Sequence, residues 1–203
     1  MEEPILGHRD GRHFYVERLR PEDVGVAADL CDRCVGKNLY PRPYLAEICG
    51  EPDHFFYLLR SPDGQAAGYY YFHLTDLAGM ARYTRLPLAQ LTDLCRPNPR
   101  VAHLRSIGIL EAYRREHMSV CLVRYVLRML ETELHADMAF CVCWKPQGKI
   151  PVTRSLEAFS FRHLADVARF WYDVPELECP ICRGRCRCDA AVYYKLFEGG
   201  SKP

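Results

Sequence analysis

Residues 101–144, VAHLRSIGILEAYRREHMSVCLVRYVLRMLETELHADMAFCVCW, predict a strand, a loop, a long helix and a second strand. The first strand spans 101–110, and Gly108 inside it indicates a bulge or the close approach of another backbone. From Met118 to about His135, apolar residues recur at helical spacing. Residues 138–144 are wholly apolar, which is typical of a buried parallel strand. This order predicts a right-handed crossover between two parallel strands.

The flanking sequence adds antiparallel strands and short helices to this unit. Further strands are predicted at 13–19, 54–60, 65–74, 161–172 and 190–197, with Ser61-Pro62-Asp63-Gly64 as a hairpin turn. Helices are predicted at 21–34, 44–49, 88–94 and 151–159. We expect an α/β (α+β) fold with a mixed sheet of about seven strands flanked by helices. Residues 1–12 are expected to be a flexible N-terminus, followed by a single domain over 13–203.

Four cysteines crowd the segment CPICRGRCRC: Cys179, Cys182, Cys186 and Cys188. Cys186 and Cys188 are too close in sequence to bridge each other easily, whereas four thiolates fit one tetrahedral ion without strain. We therefore expect a closed structural site for zinc, with an iron–sulfur cluster as the alternative ion. Unmetallated surface cysteines are the remaining alternative. The segment would form a hairpin insertion at about 173–189, with Gly184 in the turn.

Composition limits the classes of function. The 203 residues carry a net charge of +1, which gives no electrostatic footprint for nucleic acid. There is no apolar run of membrane-spanning length and no secretory signal pattern at residues 1–14. Eleven cysteines in such a chain favour a reducing compartment, so we expect a cytoplasmic protein that does not bind membranes.

The order of the predicted elements and the sequence of residues 101–161 resemble those of the GNAT acyltransferase superfamily. Ile109-Leu110-Glu111-Ala112-Tyr113-Arg114 is similar to that family's strand end before its pyrophosphate loop. The loop pattern, [Arg/Gln]-x-x-Gly-x-[Gly/Ala], falls on residues 114–119, where His117 replaces the middle glycine and Ser119 supplies the small last residue. Ser160-Phe161 takes the place of the family's Gly-Phe pair, and Leu156 stands where a tyrosine is common.

The resemblance implies a centrally splayed sheet and a coenzyme A site. Backbone N–H groups and the positive end of the long helix would receive the pyrophosphate. The pantetheine arm would pair with the bulged strand, and a backbone N–H near Ile109 would face the developing oxyanion. The implied cofactor residues are Ile107, Ile109, Arg114, Arg115, His117, Met118 and Ser119.

Several residues are candidates for proton transfer with an acceptor amine. His103, Glu111 and Asp76 are candidate bases, and Tyr193 or Tyr194 on the last strand are candidate acids. All of these except Asp76 have an alternative structural interpretation: a core or surface histidine for His103, a loop cap for Glu111, and sheet packing for the tyrosines.

The sequence leaves the roles of two further cysteine pairs open. Cys141 and Cys143 share a face of a buried strand. Nucleophiles and metal ligands are two interpretations of this pair, and core thiols are the preferred one. Cys31 and Cys34 form a C-x-x-C on a helix, where packing is the preferred interpretation.

The favoured function is an acyl-CoA-dependent N-acyltransferase that moves an acetyl or other acyl group to a primary amine of a small molecule or protein. The alternative is a catalytically degenerate acyl-CoA-binding or zinc-stabilised interaction module. A homodimer is compatible with either function.

Overall fold

The computed structural model describes residues 13–114, 117–198 and 200; the predicted flexible N-terminus, 1–12, lies outside this part. Nine strands occur in it: β1 Tyr15–Arg18, β2 His54–Arg60, β3 Ala66–Thr75, β4 Val101–Ile109, β5 Met138–Lys145, β6 Arg162–Val167, β7 Glu178–Cys179, β8 Gly184–Arg185 and β9 Asp189–Leu196. The α-helices there are α1 Val24–Cys34, α2 Arg42–Ile48, α3 Leu77–Thr84, α4 Leu88–Thr92, α5 Met118–Thr132 and α6 Thr153–Ala158.

Seven strands form one mixed sheet in the order β1-β2-β3-β4-β5-β9-β6, which confirms the predicted fold class. β4 and β5 are parallel, as predicted, and pair from Val101↔Met138 to Leu104↔Cys141. β9 is antiparallel to β5 along all of it, and antiparallel to β6 with a register shift between His163 and Ala165. The short strands β7 and β8 form a separate ribbon.

The chain divides into two compact units whose boundaries fall inside β3, β4 and α5. Unit 1 comprises residues 1–71, 106–123 and 173–186; unit 2 comprises 72–105, 124–172 and 187–203. In unit 1, α1 and α2 contact each other, and their apolar faces join a buried cluster that includes Leu45, Leu58 and Tyr69. In unit 2, α3 and α4 contact each other, and Met80 and Phe140 belong to its buried cluster. Each unit therefore has an apolar core of its own.

Gly108 on β4 lies where neighbouring elements come very close, as the sequence predicted. A Cβ added there would lie 2.5 Å from Tyr69 Cε1 and 2.6 Å from Cys34 Cβ, and a Cβ added at Gly68 on β3 would collide with the Gly108 carbonyl oxygen. The predicted close approach of another backbone is thus confirmed between Gly68 and Gly108, while the Tyr69 and Cys34 side chains fill the space that a side chain at Gly108 would need.

Three elements differ clearly from the sequence prediction: one helix was not predicted, and one strand and one helix end earlier than predicted. Helix α3 was not predicted, because only a helix at 88–94 was expected between residues 76 and 100. The strand predicted over 161–172 ends at Val167, and residues 168–173 form turns, with Arg169 at a φ of 47°. The long helix ends at Thr132 rather than His135. No helix among the described residues has the length and apolarity required to cross a bilayer.

Candidate functional site

The end of β4 leads directly into the loop predicted to bind pyrophosphate. After Ile109, residues 111–113 form a single 3-10 turn, and the chain then extends at Arg114. Arg114 is exposed, and its Nε donates to the Ile109 carbonyl oxygen at 2.9 Å. This bond holds the guanidinium at the strand end, and a guanidinium offers forked donors that suit an anion. Two loop residues, Arg115 and Glu116, lie outside the described residues.

His117 takes a backbone conformation that usually belongs to glycine. Its φ is 57°, in the left-handed region, and its carbonyl oxygen accepts the N–H of Cys121 at 3.1 Å to close the first turn of α5. Its side chain is exposed. The loop therefore follows a path that suits glycine, with a histidine in place of the glycine of the GNAT pattern.

The start of α5 gives this loop its electrostatic character. α5 has fifteen residues, and the first N–H groups of any helix lack partners within it. Met118 is 2% exposed and anchors the helix in the core, while Ser119 is half-buried. Ile107, Ile109, Arg114, His117, Met118 and Ser119 thus lie together in unit 1, in the stretch from β4 to the first turn of α5. That stretch can receive a phosphate group.

His103 lies on β4 in unit 2, inside an aromatic cluster. Its ring stacks on Phe140 with centroids 4.3 Å apart, and it contacts His73 at 5.0 Å and Tyr83 at 4.8 Å. Burial, with smaller contributions from Arg105 and His73, lowers the pKa of His103 well below its usual value. The imidazole is therefore neutral at physiological pH, and the same burial makes it a weak proton acceptor. Its Nδ1 is buried without a hydrogen-bond partner among the described residues.

His73 and Tyr83 were not anticipated as neighbours of His103. Tyr83 lies on α3, which the sequence did not predict, and Arg105 stands over the Tyr83 ring at 5.5 Å. Strand alternation could have paired His73 with His103 only if the register of β3 and β4 had been known.

The other candidates for proton transfer occupy less enclosed places. Glu111 is exposed and begins the 3-10 turn after β4. Asp76 accepts the N–H of Gly79 at 2.7 Å and so caps α3, which gives it a structural role. Tyr194 is half-buried on β9 and packs against the core of unit 2. On the opposite face of β9, Tyr193 has a raised pKa, first because of burial.

The four C-terminal cysteines converge, as their spacing predicted. Their Sγ atoms all lie within 4.8 Å of one another, and three of the four side chains are buried. The β7–β8 ribbon pairs Cys179 with Gly184, and the turn uses Arg183 at a φ of 53° and Gly184 at 150°. A tetrahedral ion with zinc–sulfur distances of about 2.3 Å holds its sulfur atoms about 3.8 Å apart. The donor set thus fits a single zinc ion, and we name residues 178–188 the knuckle.

The knuckle is attached to the chain that follows α1. Glu178 donates its N–H to the Lys37 carbonyl oxygen at 3.1 Å, and Asn38 Nδ2 donates to the Glu176 carbonyl oxygen at 3.2 Å. Gly36 lies so close that an added Cβ would be 3.0 Å from the Glu178 carbonyl oxygen. This contact was not foreseen, since no sequence pattern links residues about 140 positions apart.

Cys31 behaves as the packing interpretation of C-x-x-C predicts. It is fully buried in the core of unit 1, and burial raises its pKa to about 12. Such a thiol is protonated at neutral pH and is a poor nucleophile.

Comparison with solved structures identifies the fold as that of GNAT N-acetyltransferases. Arabidopsis thaliana NAA60 in complex with acetyl-CoA aligns with a TM-score of 0.69 at 12% identity, covering 92% of this chain and 99% of that one. Chaetomium thermophilum Naa20 in complex with a bisubstrate analogue aligns at 0.63 and 17%, covering 91% and 87%. The ribosomal-protein-S18-alanine N-acetyltransferase from Escherichia coli aligns at 0.61 and 14%, covering 94% and 96%.

At the level of sequence, no family model and no curated protein matches the chain. The shared fold is therefore carried by topology and core pattern rather than by recognisable sequence.

Proposed function

We propose that this protein is an acyl-CoA-dependent N-acyltransferase that transfers an acetyl or other acyl group to a primary amine. The fold supports acyl transfer in general, because its structural neighbours are N-acetyltransferases, one of them in complex with acetyl-CoA. The proposal that the acyl donor is a coenzyme A thioester rests on the loop in unit 1. There the backbone retains a left-handed residue at position 117 in front of α5, although the glycine itself is absent.

In the proposed reaction the acceptor amine attacks the acyl carbonyl carbon. A C–N bond forms, the C–S bond breaks, and coenzyme A leaves as a thiol. Glu111, which lies in unit 1 with the loop, is the proposed acceptor of the amine proton, which it can return to the leaving sulfur. Proton transfer by His103 and Tyr194 stays a prediction, because both lie in unit 2 and burial makes His103 a weak base. The backbone N–H near Ile109 is proposed to stabilise the oxyanion.

The proposed cofactor residues are tested by isothermal titration with acetyl-CoA. Arg114→Ala removes the guanidinium fixed at the strand end and is expected to weaken binding about tenfold or more, as expected for one lost charge-assisted contact. Arg128→Ala is the matched control, because Arg128 is an exposed arginine further along α5. Equal affinities for the two variants would remove Arg114 from the site. Turnover of an amine panel then distinguishes transfer from binding alone.

A second function is favoured by one observation. Arg114 already occupies the Ile109 carbonyl oxygen, which is part of the strand edge that would pair with pantetheine. Because this oxygen is then less available to pantetheine, the contact suits a zinc-stabilised interaction module that acts through its knuckle better than a degenerate module that binds acyl-CoA. Absence of any thioester effect on the melting temperature, together with one bound zinc, would favour this second function.

The knuckle is proposed to hold one zinc ion through Cys179, Cys182, Cys186 and Cys188, with no position left for a substrate. Four thiolates so close together suit one ion better than an iron–sulfur cluster, whose ligands bind separate iron atoms. We place the protein in the cytoplasm, where thiols persist. The predicted homodimer stays a prediction.

A further inference from the structure

Two thiols on β5 take no part in the proposed coenzyme A site or the knuckle. Cys143 Sγ donates to Cys141 Sγ at 3.5 Å. Residues two apart on a strand point to the same face, so the pair arises from β5 alone. β9 pairs with β5 from Met138↔Leu196 to Lys145↔Asp189, which holds the strand extended and both thiols in place.

The neighbours of this pair on the two paired strands are Tyr193 and Lys145. Tyr193 stands opposite Cys141 on β9, and both thiols contribute to its raised pKa, after burial. Lys145 follows on β5, with its Nζ 2.6 Å from Asp166. The hydrogen bond from Cys143, and then burial, raise the pKa of Cys141, so this thiol keeps its proton at neutral pH until an ion displaces it.

A disulfide does not suit these positions. A strand rises about 3.3 Å per residue, so the two Cα atoms lie about 6.6 Å apart, near the upper limit for a disulfide. Closing the bond would require β5 to contract against its ladder with β9.

Zinc does not suit the pair either. A structural zinc ion takes four protein ligands, and among the described residues only the knuckle brings three or more ligand atoms together. Two thiolates without further ligands favour instead a soft ion that accepts low coordination.

We propose that Cys141 and Cys143 form a two-thiolate site for a soft monovalent metal ion, of which Cu(I) is the cellular example. Binding replaces two S–H bonds by two copper–sulfur bonds and releases two protons to solvent. The site gains one negative charge overall. The site depends neither on acyl transfer nor on zinc in the knuckle.

The test is a copper titration of zinc-loaded protein without oxygen, against a competing Cu(I) chelator, with copper and zinc both counted. Wild-type protein is expected to hold one more Cu(I) than Cys143→Val, which keeps an apolar side chain but removes one ligand. Because the readout is a difference, copper taken by the knuckle cancels. Cys143→Met, which retains a soft sulfur, is expected to keep the ion with at least tenfold weaker affinity. Cys95→Ser, at a buried cysteine of unit 2 outside the pair, is the control and is expected to match wild type.

The proposal is overturned if wild type and Cys143→Val bind equal amounts of copper, or if Cys95→Ser loses copper to the same extent. Thermal melts of the metal-free variants show whether each one folds. Should Cys143→Val not fold, the comparison of wild type with Cys141→Val decides in the same way.

Discussion

Position 117 is the residue at which the loop departs most from the GNAT pattern while keeping its path. A non-glycine residue in the left-handed region costs about 1 kcal/mol. His117 adopts it with a φ of 57° and an exposed side chain. The substitution therefore alters the chemistry of the loop more than its conformation.

Replacing His117 with glycine is expected to raise stability by about 0.5 kcal/mol, because released strain exceeds the entropy that glycine loses on folding. Affinity for acetyl-CoA is expected to rise as well, since phosphates approach glycine closely. Urea unfolding and calorimetry measure the two effects. His135→Gly is the matched control, an exposed residue with a φ of 47° after α5, and should change stability alone. Weaker acetyl-CoA binding by His117→Gly would instead show that the imidazole contacts the cofactor.

His103 links stability to pH through its burial. Its pKa in the folded protein is well below the usual value, whereas in the unfolded chain it titrates near about 6.5. Below that pH the unfolded state binds more protons, so the stability that neutral His103 contributes is present above pH 6.5 and is lost as the pH falls. The free energy of unfolding changes through this one group by at most about 1.4 kcal/mol per pH unit.

His103→Phe is expected to remove this part of the pH dependence, because phenylalanine can stack on Phe140 without titrating. Urea unfolding of both proteins at pH 7.5, 6.5 and 5.5 provides the comparison. Parallel stability curves for the two proteins would contradict a buried neutral imidazole.

At the scale of elements, the strands and the crossover followed from sequence, but α3 did not. The strong signals were apolar runs, as in β5, and the glycine-containing turn between β2 and β3. In α3 the apolar pattern is short and is followed closely by Pro87, so it was taken as irregular chain. The residue that could have indicated the start of α3 is Asp76, because aspartate is favoured at a helix N-terminus.

Asp76 provides a test that separates capping from catalysis. Asp76→Ala is expected to cost about 1 kcal/mol of stability, because the Gly79 N–H loses its acceptor, whereas Asp76→Asn keeps the cap. Both variants are expected to keep acyl-transfer activity. Loss of turnover in a fully stable Asp76→Asn protein would restore Asp76 as a candidate base.

At the scale of the whole molecule, sequence predicted the convergence of the four C-terminal cysteines better than the surroundings of His103. Four cysteines within ten residues converge whatever the fold does around them. The environment of His103 depends instead on strand register and on α3, and neither is encoded by local spacing. Tertiary packing between distant segments is the part that the sequence did not disclose.

Removing the metal is expected to lower the melting temperature by about 5–10 °C, the effect of losing about 2–3 kcal/mol in a chain of this size. Cys182→Ser should do the same and should lower the zinc content from one equivalent. Cys49→Ser, at a half-buried cysteine outside the knuckle, is the control. Differential scanning calorimetry with elemental analysis measures both quantities. A melting temperature unchanged after complete zinc removal would rule out a structural ion.

The attachment of Glu178 to Lys37, and of Asn38 to Glu176, couples two distant stretches of chain. Because linkage is reciprocal, an ion that orders one stretch also protects the backbone amides of the other from exchange with solvent. Amide exchange in the connection between α1 and α2 would then report whether the knuckle holds its ion, although that connection contains none of the ligands.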